Sequence, residues 1–255
     1  MLRGPDRRQW LLALAALGVA PAAQAFGQQG AFSPRILTTV GSPALDSDRE
    51  SALGRWAWEL VRRTSAPARL LPARVAADDP KLLDEPFCVW AGSREVAPLM
   101  ATERRMLRRF FQLGGVLFVD DAEPALGEFG RTARAELTKV LPEVPISRLS
   151  EKHVLYKSYY LVDRPVGRVL GPPHLQAMVR GRFVQVLFSS HDLLGALARR
   201  GESWSFSMPS NDAMLRQQAV RLAVNMAMYV LCSDYKDDQV HAEELMRRRG
   251  KPPAR

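Results

Sequence analysis

Two stretches of the sequence, PFCVWAG at 86–92 and GGVLFVDD at 114–121, do most to fix the architecture. Each is apolar at successive positions and lacks the alternation of a strand with one wet face. Strands of this kind are covered on both sides, as in parallel sheets flanked by helices. The second stretch ends in adjacent carboxylates, Asp120 and Asp121, so its burial stops abruptly at the strand end.

The surrounding segments supply the rest of such a fold. RILTTVG (35–41) reads as a β-branched strand. Ser47 with Glu50 three residues on forms a capping box, and the helix it opens places Leu53, Trp56, Leu60 and Thr64 on one face. ARLLPARV (68–75) is a second strand, interrupted by Pro72. ATERRMLRRFFQL (101–113) is a helix with Met106, Phe110 and Leu113 on one face and Gly114 as its stop. A further helix is expected over 127–140, strand character over HVLYKSYYLV (153–162), and a hairpin over 175–190 turning at Arg180-Gly181. A short helix at 191–200 and a long one from Ala213 to Cys232 follow. The apolar part of the long helix is about half of the ~20 residues that span a bilayer, so it reads as a helix buried on the sheet. The order predicts an α/β fold, a doubly wound and mostly parallel sheet with a β-hairpin extension and a long C-terminal helix.

The N-terminus, MLRGPDRRQWLLALAALGVAPAAQAF, has basic residues, an apolar run from Trp10 to Ala20, and Ala23-Gln24-Ala25 as a small-x-small cleavage signal. Residues 1–25 therefore read as a signal peptide, 26–34 as a linker and 35–250 as one domain. Arg7-Arg8-Gln9-Trp10-Leu11 resembles a twin-arginine export signal, with Sec export the alternative. The protein is expected in the periplasm or otherwise exported, soluble after cleavage and membrane-tethered without it. With 47% apolar and 25% charged residues, disorder as the main state is excluded. The net charge is +9, of which residues 1–25 carry about +2, and the remaining positive surface suits an anionic membrane surface or an acidic partner. Two cysteines, Cys88 and Cys232, make no disulfide framework or metal site, and Cys88 reads as a small buried hydrophobe.

In open parallel sheets ligands sit beyond the carboxyl ends of the strands, at the switch point. Those ends are Gly41-Ser42, Gly92-Ser93-Arg94, Asp120-Asp121 and Ser189-Ser190-His191-Asp192. The candidate ligand crevice is therefore Ser93, Arg94, Asp120, Asp121, His191 and Asp192. Successive strand residues point to opposite faces, so Asp120 and Asp121 do not form a close dyad. Either one carboxylate caps the next helix or pairs with an arginine while the other faces the crevice, or both serve as loop and capping groups. No catalytic residue and no metal site is assigned, and no cofactor is expected, because nucleotide-binding glycine patterns are absent. The arginine clusters Arg104–Arg109 and Arg247–Arg249 lack aromatic interleaving, which argues against nucleic acid.

RRTS (62–65), PFCVWAGSREV, GGVLFVDD, SSHDLLGA (189–196) and the tail around DYKDDQVH (234–241) resemble the bacterial domain-of-unknown-function family 4159 (DUF4159) from about Pro34 to Arg249. The resemblance implies a class I glutamine amidotransferase-like, flavodoxin-like sheet. It also implies an envelope partner in the neighbourhood of MoxR-type ATPases and von Willebrand factor A proteins. Amidotransferases of this fold place the nucleophile on a tight glycine-flanked turn, and Ser93 lacks the second glycine. In DYKDDQVH the candidate docking residues are Asp234, Tyr235, Asp237, Asp238 and Val240. The expected function is an exported, non-catalytic binding or assembly domain of the cell envelope. The alternative is a small-ligand-binding protein or hydrolase-like enzyme working from the crevice.

Overall fold

The computed structural model of the chain describes residues 30–249, with side chains as far as Ser233. The expected signal peptide, residues 1–25, lies outside the described residues. A seven-stranded sheet forms the centre, in the order β2-β1-β3-β4-β7-β6-β5. Its parallel strands are β1 (Arg35–Thr38), β2 (Ala73–Ala76), β3 (Phe87–Gly92), β4 (Val116–Asp121) and β7 (Phe183–Ser189). Strand β6 (Gln176–Arg180) pairs antiparallel to β7, and β5 (Ile146–Arg148) antiparallel to β6. A separate two-stranded ribbon pairs β8 (Arg199–Arg200) with β9 (Ser203–Trp204). The helices are α1 (Ser47–Thr64), α2 (Ala101–Gln112), α3 (Glu128–Val140), α4 (Leu193–Leu197) and α5 (Ala213–Arg249).

The unbroken apolarity of β3 and β4 is used on both faces. Phe87, Val89 and Ala91 join the core under α1, α4 and α5, while Cys88 and Trp90 join the core under α2 and α3. Strand β4 divides likewise, with Phe118 on the first face and Leu117 and Val119 on the second. The α1 stripe expected from spacing is buried as Leu53, Trp56 and Leu60, and Trp56 Nε1 donates to Ala223 O of α5 at 2.7 Å. The chain already enters this core at Phe32, which packs on Trp56 and Phe87. Fully buried Cys88 has its thiol pushed up to about 11 by desolvation, as befits a small hydrophobe.

Some local expectations need correction. The cap of α1 is Asp46, not Ser47, because its carboxylate accepts from Arg49 N at 2.9 Å and binds the Arg49 guanidinium as well. The segment 153–162 is not a strand. Val154–Lys157 forms a 3-10 turn, and Asn225 of α5 bonds the backbone of Tyr159 and Tyr160, so packing on α5 overrides strand propensity. Strand β2 starts only at Ala73, after Pro72, leaving Ala68 in an isolated bridge to Phe32. The hairpin turns at Gly181, whose φ of +61° is the left-handed conformation such a turn needs. Helix α5 runs past Cys232 to Arg249. Among the described residues no helix is long and apolar enough to cross a membrane.

Candidate functional site

The chain leaves β1 toward β2 on one side and returns to β3 on the other, so the switch point lies between β1 and β3. A pocket of about 470 Å³ opens at the carboxyl ends of these two strands. Its polar rim comprises Thr38 at the end of β1, Thr39 and Ser42 after it, Asp46 at the start of α1, and Ser93 and Arg94 after β3. Its apolar wall is formed by Leu45, Trp90, Val96 and Phe129. Trp90 and Phe129 meet edge to face at 5.7 Å, an arrangement that fixes both rings. Gly92 permits this wall, since a Cβ there would lie 2.8 Å from the Phe129 ring.

The loop after β1 is held in place from below. Glu103, buried in the first turn of α2, accepts from Val40 N at 2.8 Å and from Met100 N at 2.7 Å. Gly41 turns the loop with a φ of +73°, and Thr39 Oγ1 donates to Ser42 Oγ at 2.6 Å. Arg94 is exposed and makes no ion pair among the described residues, so the rim carries a guanidinium able to meet an anionic group.

The candidate residues fall into three places. Ser93 and Arg94 line the pocket, whereas Asp120, Asp121, His191 and Asp192 do not. Asp120 points to the α4 side, where Leu193 N and Leu194 N donate to its carboxylate at 3.1 and 2.8 Å. Asp121 points to the opposite face, where Glu123 N and Gly130 N donate to it at 3.0 and 3.1 Å. Both carboxylates therefore serve loops and helix N-termini, and neither faces the crevice. Burial pushes Asp120 up to about 7, aided by the negative charge of Asp192 and opposed by the α4 N–H groups. Asp121 is also raised, by burial first, against the N–H groups of Glu123 and Gly130.

Asp192 caps α4 from a left-handed conformation (φ +50°), accepting from Gly195 N at 3.0 Å. Its carboxylate is fully buried between two arginines: Arg49 Nε and Nη2 donate at 2.8 and 2.7 Å, and Arg168 Nε donates from the other side. Arg168 also donates to Ala122 O at 2.8 Å and to Glu123. Burial opposes the charge on Arg49, but bonds to Asp192 and Asp46 outweigh it and its pKa is raised. Arg49, Arg168 and Glu123 are absent from the sequence-based site. Arg49 had a signal, because it lies one turn before Leu53 on the same face as Trp56 and Leu60, so helical spacing sends it inward. Arg168 had none, since its segment has no regular periodicity.

His191 lies in a small neighbouring cavity of about 100 Å³ with Arg164 and Leu170, and its Nε2 bonds Pro172 O at 2.9 Å. Burial lowers its pKa, opposed by the bond to Pro172 O. Ser93 leaves β3 without a positive φ, and the next helix begins only at Ala101, so no strand-turn-helix nucleophile elbow is formed. Among the described residues no group of three His, Cys, Asp or Glu side chains could hold a metal ion. Asp234, Tyr235, Asp237, Asp238 and Val240 belong to α5 by backbone, and their side chains lie outside the described residues.

The family described as a domain of unknown function, DUF4159, matches residues 35–231. The chain belongs to this family. Comparison with curated proteins gave no match. The matched range of the DUF4159 domain takes in every strand of the central sheet, the pocket and the Asp192 network.

Proposed function

We propose that the chain is a non-catalytic binding domain of the bacterial cell envelope that holds a small ligand in the pocket between β1 and β3. The observation that carries this reading is the pocket of about 470 Å³ at the switch point, within the size range of small-molecule sites. Its composition suggests the ligand class. An apolar or ring-shaped body fits against Trp90, Phe129 and Leu45, and an acidic group fits toward Arg94 and the hydroxyls of Thr39, Ser42 and Ser93. A binding role is supported by the use of the neighbouring acids, since Asp120, Asp121 and Asp192 are engaged by backbone N–H groups and guanidinium groups. Export rests on the N-terminal apolar run and its small-x-small motif.

A thermal-shift panel of nucleotides, sugars, cell-wall fragments, amino acids and divalent metals tests the reading. A ligand at about 100 times its Kd adds about 2.7 kcal/mol, and a domain of this size gains roughly 2–4 °C per kcal/mol. A shift of several degrees, given by an acidic amphipathic compound, is the expected result. A flat panel would remove the small-ligand reading.

Assembly with an envelope protein partner is the second reading, and it includes partners of the MoxR ATPase and von Willebrand factor A type. Its support is the continuity of α5 from the buried turn around Val230 through DYKDDQVH to Arg249. Partner co-purification that survives deletion of residues 234–255 would eliminate docking through this segment.

A further inference from the structure

We propose that the outer face of α1, with the loop 69–72 and the β8–β9 ribbon, is a docking surface for an anionic lipid bilayer. This goes beyond the pocket reading and shares no residue with the pocket. The face carries a continuous row of alternating cations and indole rings. The Arg62 and Arg55 guanidinium groups lie 4.9 and 4.0 Å from the Trp58 ring centre. Arg55 is also 5.4 Å from the Trp204 ring, which Arg199 approaches at 5.0 Å, while Arg216, 4.3 Å from the same ring, is buried, donates to Ala196 O and Phe206 O, and holds the indole rather than adding to the exposed row. Both indoles remain open to solvent, at 36% and 37%. Beside the row stand Val61, Leu70 at 49% and Leu71 at 88% exposure, the most exposed large apolar side chain of the described residues.

The loop bearing the leucines is seated on α1. Gly54, one turn before Trp58, lacks the Cβ that would lie 2.8 Å from Leu70 O. Leu70 and Leu71 thus protrude next to the tryptophan-arginine row. An apolar ridge rimmed by cations is the composition of an interfacial membrane site: leucine and indole enter the headgroup boundary while guanidinium groups meet lipid phosphates. Stacking on the indoles holds the guanidinium planes in place, so less freedom is lost on contact. Of the nearby acids, buried Glu59 is bonded to Arg55 and Arg63, Asp48 to Arg200 and Glu50 to Arg74, and Glu202 at the tip of the ribbon is the one that stays exposed without an ion pair among the described residues. The protruding leucines favour a bilayer over a soluble acidic polymer, which would satisfy the cations and leave Leu71 in water.

The path of the chain agrees. Phe32 N donates to Pro67 O, and Arg69 N to Phe32 O, both at 2.9 Å. The described chain therefore enters the domain at Phe32, beside the loop that carries Leu70 and Leu71.

Flotation of the full-length chain with vesicles tests the proposal, comparing phosphatidylcholine alone with an equimolar mixture of phosphatidylcholine and phosphatidylglycerol. The N-terminal apolar run is the same in every variant, so differences report on the folded face. Wild type is expected to favour the anionic vesicles. Leu71→Asp should lower partition about tenfold through loss of one buried leucine, and Arg62→Ala about fivefold. Arg105→Ala removes the same charge from α2, on the opposite layer, and should change partition much less. All three side chains are exposed, and unchanged melting confirms that the fold is retained. Equal flotation with both vesicles, or wild-type flotation of Leu71→Asp and Arg62→Ala, overturns the proposal. Retention on an acidic polysaccharide that is lost in Arg62→Ala, without any lipid dependence, also overturns it and assigns the face to a polymer.

Discussion

Two neighbouring stretches of the sheet's carboxyl edge end very differently. At β4 and β7 the edge is rich in charge, yet the protein itself occupies it: Asp120 and Asp192 receive the N-terminus of α4, and Arg49 and Arg168 close over Asp192. At β1 and β3 the residues are less conspicuous hydroxyls, glycines and one arginine, but the strand order leaves a space of about 470 Å³. Charge density therefore marks where this edge is locked, and the topological reversal marks where it is open. The lock also explains how a fully buried carboxylate is tolerated. Two guanidinium groups and a helix N-terminus replace the water that Asp192 gives up.

The largest expected effect sharpens this contrast. Asp192→Ala leaves Arg49 and Arg168 without their buried partner and α4 without its cap, and should cost about 3–5 kcal/mol. Urea denaturation measures it, and a drop on the order of 10 °C in Tm should accompany it. Asp192→Asn keeps an acceptor and a residue that tolerates the left-handed backbone, so the difference between the two variants isolates the ion pairs. A loss below 1 kcal/mol for both would break the distinction between locked and open edge.

Asp120→Asn comes next, at about 1–3 kcal/mol, because one of two N–H donors loses its acceptor. Its pH dependence has a definite sign. The folded-state pKa is raised to about 7 from an unfolded value near 4. The native state thus binds the proton more tightly, and the contribution is fully present below pH 4 and lost as pH rises through 7. The deficit of Asp120→Asn should shrink across this window, as followed by melting at several pH values. A constant deficit would show that Asp120 titrates normally.

Gly92→Ala carries the comparison into the pocket. Its Cβ would lie 2.8 Å from the Phe129 ring, so the wall must shift, at about 1–3 kcal/mol. Ser93→Ala and Arg94→Ala, on the open rim, should stay within about 0.5 kcal/mol of wild type in the same denaturation assay. A larger loss at Ser93 or Arg94 would mean that the rim is structural too.

The sheet was legible because burial on both faces writes an unbroken apolar run, and the opposite directions of Asp120 and Asp121 followed from strand geometry alone. The destination of the two carboxylates was not legible. Asp192 turns into α4 through a positive φ that a sequence does not display, and Arg168 arrives from a segment with no repeat. The seven-strand order was equally hidden, since strand neighbours depend on long-range crossings, and the pocket lies where that order reverses. Segment 153–162 misled for a related reason: its aromatic and β-branched residues suit a strand or a helix-facing surface alike, and Asn225 decides between them.

The most direct test repeats the thermal-shift panel on two variants, Ser93→Phe, which fills the pocket between β1 and β3, and Asp121→Asn, which alters the charged edge outside it. The ligand-induced shift should disappear in Ser93→Phe and persist in Asp121→Asn, whatever the latter's own melting temperature. A shift that survives Ser93→Phe and vanishes in Asp121→Asn would place the ligand at the charged edge and contradict the account.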